Sequence, residues 1–176
     1  EGTELSLKDR WILSRFHRTI EQASLALDVF RFGEYVQMIY DFIWGEFCDW
    51  YIEWSKKDLY QGSPEAKRKT QSVLVTVLSG ILQLLHPVAP FITEEIWHSL
   101  PVKNEAEAII VSRWPVKEPR WLDERSEKII DSIQKIIREI RFLRAELEIS
   151  PAETGRVQLG FHQSQDRMTI EKHLGY

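Results

Sequence analysis

The side chains of this sequence that could do chemistry are flat rings and guanidinium groups. The segment YVQMIYDFIWGEFCDWYIEW, residues 35–54, holds eight of the chain's twenty aromatic residues. Rings at that density fill a core or, where one is left at a rim, stack on an unpaired base. A second group is Trp11, Arg15 and Arg18, which fall within a narrow arc of a helical segment. Arginines beside an indole suit an RNA-facing patch, and they equally suit a solvated face with a guanidinium lying over the ring. Lys67, Arg68 and Lys69 crowd the first turns of another helix, where cations oppose the macrodipole, so they mark either a phosphate partner or plain solubility. Arg144 interrupts an apolar stripe and calls for a carboxylate or phosphate partner. Catalytic signatures are missing from the sequence. There is no phosphate-cradling glycine loop and no nucleophile beside a base. Glu94 and Glu95 are adjacent on a helix and diverge by about 100°, and His86 and His98 lack metal-site spacing. These residues describe a binding or structural domain.

The elements that must position them follow from periodicity. Ser6 and Asp9 form a capping box, and residues 7–29 place Ile12, Leu13, Phe16, Ile20, Ala23 and Leu27 on one face. Gly33 is the candidate left-handed turn after that helix. In the aromatic segment the helical period puts Val36, Ile39, Tyr40, Ile43, Trp44, Phe47, Trp50, Tyr51 and Trp54 on one broad inward face. Gln37, Asp41, Asp49, Glu53 and Lys56 fall opposite, with Tyr35, Met38, Phe42 and Ile52 intruding on that polar side. Ser63 and Pro64 start a third helix with Val73, Leu74, Val77, Leu78, Ile81, Leu82 and Leu85 inward. His86-Pro87 ends it. Pro90 starts a fourth helix, with Phe91, Ile92, Ile96 and Trp97 expected inward. The run Ala108–Ser112 is β-like, and residues 101–122 are expected to be an extended crossover leaving the bundle. Asp123 begins a fifth helix with an isoleucine-rich stripe. Beyond Ser150-Pro151, RVQLG at 156–160 has the pattern of a strand start, too short to bury its own faces.

Composition sets outer bounds. A net charge of -4 excludes sequence-blind duplex binding through a basic face, although recognition of a few unstacked bases needs only a local cationic patch. The single cysteine, Cys48, has no disulfide partner and suits a reducing, cytoplasmic compartment. No run is apolar enough to cross a membrane, and no leader pattern opens the sequence.

Three segments carry a resemblance: DRWILSR at 9–15, YDFIWGEFCDWYIE at 40–53 and LHPVAPFITEEIW at 85–97. They resemble the anticodon-binding helical domain of class I aminoacyl-tRNA synthetases. The EFCDWYIE core and the later VSRWP, together with IREIR and RAE in the fifth helix, are most similar to the valyl enzymes. The resemblance implies an all-α anticodon-binding bundle over residues 1–100, a short β-like crossover at 101–122 and a long helix packing on the bundle at 123–148. It also implies the start of a small α/β C-terminal subdomain at 149–176. It further implies a monomeric parent ligase that joins valine to tRNA(Val), with ATP and Mg held in a catalytic domain outside this sequence and no cofactor bound here. The partners so implied are the tRNA anticodon stem-loop and the catalytic, editing and coiled-coil parts of the parent. The HIGH-type and KMSKS-type ATP signatures are absent from the sequence, so this chain alone is expected to be inactive. By position in the family motif, Phe47 is the ring expected to stack on an anticodon base, with Tyr40 and Trp44 on the same edge. Arg31 is the expected loop contact, with Leu25 and Val29 standing where relatives can carry arginine. The alternatives are the same domain from an isoleucyl or leucyl enzyme, or a helical protein-interaction module whose rings are core.

Overall fold

The computed structural model describes residues 5–101, 106–150, 153–154 and 156–160. The chain divides into two compact units, Glu1–Asp123 and Glu124–Tyr176.

The first unit is built around its first helix, α1, Leu7–Asp28. Ser6 caps it as the sequence predicts, its hydroxyl oxygen accepting from the Asp9 backbone N–H and its O–H donating to the Asp9 carboxylate at 2.7 Å. Between Leu7 and Ile20 only Arg10, Arg15 and Arg18 keep partial exposure. A helix sunk on so many sides is a central element. Trp11, Ile12, Leu13, Phe16 and Ile20 are all buried. Each such side chain contributes about 1.5–3 kcal/mol on burial. Trp11 therefore belongs to the core, set edge-to-face against Trp54 at 5.7 Å, and not to an RNA-facing patch.

The turn after α1 falls one step away from the expected glycine. Phe30 N–H bonds to Leu27 O and Arg31 N–H to Ala26 O, the two hydrogen bonds of a Schellman cap. The left-handed residue this motif requires is Phe30, at φ 59°, and Gly33 lies inside the next helix. A bulky residue at that φ costs roughly 1–2 kcal/mol. Phe30→Gly should accordingly raise stability by about 0.5–1 kcal/mol once the greater freedom of glycine in the unfolded chain is subtracted. An unchanged or lower urea midpoint would contradict this.

A continuous helical rod follows: α2, Phe32–Phe42; a π-helical segment, Ile43–Ile52; and α3, Glu53–Gln61. The widened segment closes i→i+5 bonds and so accommodates one extra residue. Its consequence is a change of phase. The rings of the C-terminal half, Phe47, Trp50 and Tyr51, face inward as expected, but the N-terminal half buries Tyr35, Ile39 and Phe42. A uniform 3.6 period carried back from Phe47 instead selects Val36, Tyr40 and Trp44, and these three are exposed. The inward face is thus displaced by one residue across the π turn.

Ser63 and Pro64 begin α4, Pro64–Leu85, as predicted, with Ala66 N–H donating to the Ser63 hydroxyl. Val73, Val77, Ile81 and Leu82 are buried. A methyl group at Gly80 would collide with the ring of Phe16, so the absence of a side chain there lets the two helices approach. The buried Tyr35 phenol donates to Leu84 O, satisfying an end-of-helix carbonyl, and burial pushes its pKa up to about 12.

Helix α5, Pro90–Ser99, turns a different face inward than its sequence suggests: Thr93 and Trp97 are buried, whereas Phe91 is 91% exposed and Ile92 and Ile96 also face outward. Thr93 is held inside the corner by Ala89 O at 2.8 Å and His86 Nδ1 at 2.8 Å. Trp97, one turn on, joins a cluster with Leu82 and Ile109.

The segment expected to leave the bundle lies along α1 instead. Ala108–Ser112 is not β-like: Ile109–Val111 is a 3₁₀ turn, as is Pro119–Trp121. Trp114 donates to Ser24, Lys117 pairs with Glu21, the Glu118 N–H donates to His17 Nδ1, and the Asp123 N–H donates to Ser14. Asp123 also pairs with Arg10 at 3.1 Å. Positions 24, 21, 17, 14 and 10 form one face of α1, so this segment is a strap fixed at every turn.

His17 is the titratable member of that strap. Burial holds its pKa below the ordinary 6.5, with the Glu118 carboxylate opposing and Arg120 adding to the lowering. Its Nδ1 must be unprotonated to accept from Glu118, and its ring stacks on Trp121 at 6.4 Å. The unfolded chain takes up this proton at higher pH than the folded chain. Its contribution is therefore complete above about pH 6.5 and is lost as pH falls below, by at most about 1.4 kcal/mol per pH unit. Between pH 7.5 and 5.5 the wild type should lose more stability than His17→Gln, and equal slopes would refute this assignment.

In the second unit, α6 spans Glu124–Glu146. It ends in another Schellman cap, with Glu148 left-handed at φ 52°. Among the described residues Arg144 pairs with no carboxylate; it donates to Ser150 O at 2.6 Å and Glu153 O at 2.8 Å, fixing the turn after the helix. Residues 156–160 form no strand among the described residues, since no partner strand accompanies them. The sequence also has a weak helical pattern from Gln165 to Leu174, which lies outside the described residues.

Candidate nucleic-acid interface

The change of phase in the aromatic rod creates its exposed face. Phe32, Val36, Tyr40 and Trp44 recur every four residues and all are exposed, so they form a stripe climbing roughly 6 Å per step. Tyr40 and Trp44 are 55% and 54% exposed, with ring centroids 6.3 Å apart and planes inclined at 52°. At the foot of the stripe Phe30, 77% exposed, meets Phe32 edge-to-face at 6.2 Å. Leu25 and Val29, on the last turn of α1, are exposed as well. Contiguous apolar surface of this kind marks a place where something binds.

The predicted site residues separate into two sets. Tyr40 and Trp44 are open rings, and Arg31 stands at the turn with its head group in solvent. The Arg31 contact with Glu34, 3.4 Å long between well-exposed groups, is worth little and is readily exchanged for a phosphate. Arg18 is partly exposed on α1. Arg15 and Phe47 are placed otherwise. Arg15 makes a bidentate pair with Glu46, at 2.7 and 2.8 Å, which pins the π-helical segment to α1. Phe47 is 4% exposed and stacks on Tyr51 at 6.0 Å, 25° from parallel, so one ring face is taken by the core. It lines an apolar groove of about 520 Å³ together with Ile43, Cys48, Leu74 and Leu78. Burial first, then the neighbouring Asp49 carboxylate, raise the Cys48 pKa, so the thiol stays protonated and unreactive.

Sequence reasoning missed Phe30 and Phe32. The available signal was the turn itself: a Schellman cap without glycine at the left-handed position places a large ring where backbone economy would not. It also missed a second cavity, of about 590 Å³, between the last turns of α1 and the strap at Trp114–Lys117. Among the described residues no group of three or more His, Cys, Asp or Glu could hold a metal ion. No helix among them is long and apolar enough to cross a membrane.

A helical domain with an open aromatic stripe beside a cationic turn offers the kind of ring faces on which unpaired bases can stack. Residues 9–159 match the family model described as the anticodon-binding domain of tRNA ligase, and the chain belongs to that family. Its relatives include the valine–tRNA ligase of Enterococcus faecalis, 42% identical over 144 residues, covering 82% of this chain and 16% of that protein. The valine–tRNA ligase of Halalkalibacterium halodurans is 45% identical over 146 residues, covering 83% and 16%. That of Geobacillus kaustophilus is 39% identical over 173 residues, covering 98% of this chain and 19% of the relative. The chain thus spans less than a fifth of the length of these relatives.

Proposed function

We propose that this chain grips the anticodon stem-loop of a tRNA on behalf of a valine–tRNA ligase. The observation that carries the reading is the stripe from Phe30 to Trp44, exposed on a domain of the anticodon-binding family. Tyr40 and Trp44 offer ring faces to splayed bases, and Arg31 and Arg18 supply the cationic contacts to the loop backbone. The net charge of -4 leaves little general attraction for phosphate, so ring stacking and a few local contacts carry the affinity.

The parent reaction joins L-valine to tRNA(Val) at the expense of ATP. Its ATP and Mg belong to a catalytic portion of the parent and not to the residues described here, and the parent acts as a monomer in the cytoplasm. The test is a binding series with fluorescent anticodon hairpins. Hairpins carrying the valine anticodon should bind more tightly than hairpins with the middle or last anticodon base changed. Equal affinity for every anticodon would sink the reading. The purified chain should show no valine-dependent pyrophosphate exchange.

A further inference from the structure

The cavity between α1 and the strap has features that neither packing nor the aromatic stripe accounts for. Its apolar walls come from Leu25, Val116 and Trp114, the last half-exposed with its indole N–H already donated to Ser24 at 2.9 Å. Two carboxylates line it. Glu21 is consumed by its ion pair with Lys117. Asp28 is not: among the described residues it has neither an ion-pair nor a hydrogen-bond partner. It also sits in the last turn of α1, where the helix dipole disfavours an anion and where no basic residue compensates. Asp28 is exposed, so its carboxylate is hydrated in the free protein and open to a donor that enters the apolar groove beside it. Leu27 and Asp28, which line the cavity, directly precede the turn that carries Phe30 and Arg31.

We propose that this cavity receives one unpaired base of the bound RNA, and that Asp28 selects a base carrying an exocyclic amino group. This rests on the anticodon reading above. A volume of about 590 Å³ accommodates a nucleoside. The base ring lies against Trp114 and the aliphatic walls, and its amino N–H donates to the Asp28 carboxylate. Uracil has no such amino group and is the base this site rejects.

The discriminating experiment uses anticodon hairpins in which the adenine, guanine or cytosine at each loop position is replaced in turn by its des-amino analogue. At one loop position the replacement should weaken wild-type binding by about 10-fold, within the range of a good side-chain-to-base contact. Asp28→Ala should weaken the unmodified hairpin by a similar factor and make that replacement silent. Simple electrostatics predicts the reverse for this variant, because removing a negative charge favours RNA. Trp114→Leu should weaken binding, and Trp114→Phe should restore it. Thermal melting controls for folding, and Asp28→Ala should melt no lower than wild type because it relieves the dipole conflict. Anticodon-dependent binding with no coupling between Asp28 and any amino group would overturn the pocket and leave the anticodon reading standing. Binding blind to loop sequence would remove both.

Discussion

Asp9→Ala should cost about 3–5 kcal/mol of folding free energy. The reason is the number of groups that carboxylate satisfies. Lys8, 1% exposed, lies 3.0 Å from the Asp9 carboxylate and 3.0 Å from that of Asp58, donates to Thr70 at 3.1 Å, and sits 5.3 Å over the Tyr51 ring. The Tyr51 hydroxyl donates to the same Asp9 oxygen at 2.7 Å, and its pKa is raised by burial and then by Asp9. Removing Asp9 strands a buried phenol and leaves a buried ammonium with one half-exposed carboxylate. Lys8→Met should cost less, because the Asp9 carboxylate keeps donors from Tyr51 and Ser6 and the thioether chain fills the same volume. Urea denaturation of both variants checks the order. Equal midpoints would mean that the network is not where the stability of α1 resides.

The second large effect is on binding. Trp44→Ala should weaken anticodon-hairpin binding by about 1–3 kcal/mol, roughly 5- to 150-fold, with the melting temperature unchanged. Tyr40→Ala should act in the same sense, since the two rings form one platform. Phe47→Ala should do the opposite: a buried ring lost from a packed site costs about 3–5 kcal/mol of stability. Its RNA affinity, measured where the variant is still folded, should stay near wild type. A Phe47→Ala variant that melts normally but no longer binds would return the stacking role to Phe47 and remove it from Trp44.

Much of this architecture is legible in the amino-acid sequence. The Ser6 and Ser63 caps, Pro64, the α4 stripe and the end of α4 at His86 follow from local rules that nothing in the tertiary structure opposes. The family followed from motifs such as EFCDWYIE. What sequence could not give was set by long-range contacts. Thr93 faces inward because His86 and the Ala89 carbonyl claim its hydroxyl, which defeats a pattern assigning apolar residues to the core. The strap looked like a departing linker because its bonds to α1 span about 90 to 110 positions in sequence. Arg15 looked like a ligand for RNA because Glu46, its partner, lies on another element. The candidate site was half legible for the same reason. The sequence marks Tyr40 and Trp44 but not Phe30 and Phe32, and the orientation of the rings depends on a wide turn that no residue pattern announces.

That wide turn sorts the rings of the rod between two faces. An α-helix of this composition has a single apolar seam, and every ring would compete for it. By spending one residue on a looser turn, the chain divides its rings into an inward crew and an outward crew without changing a side chain. Deleting Gly45, whose surroundings are open, is the shortest route back to a uniform helix. The shortened rod would have more regular hydrogen bonding, yet it would swing Tyr40 and Trp44 toward the core and Tyr35 and Phe42 toward solvent. Regularity and recognition are therefore in direct conflict at this point in the chain, and one residue decides between them.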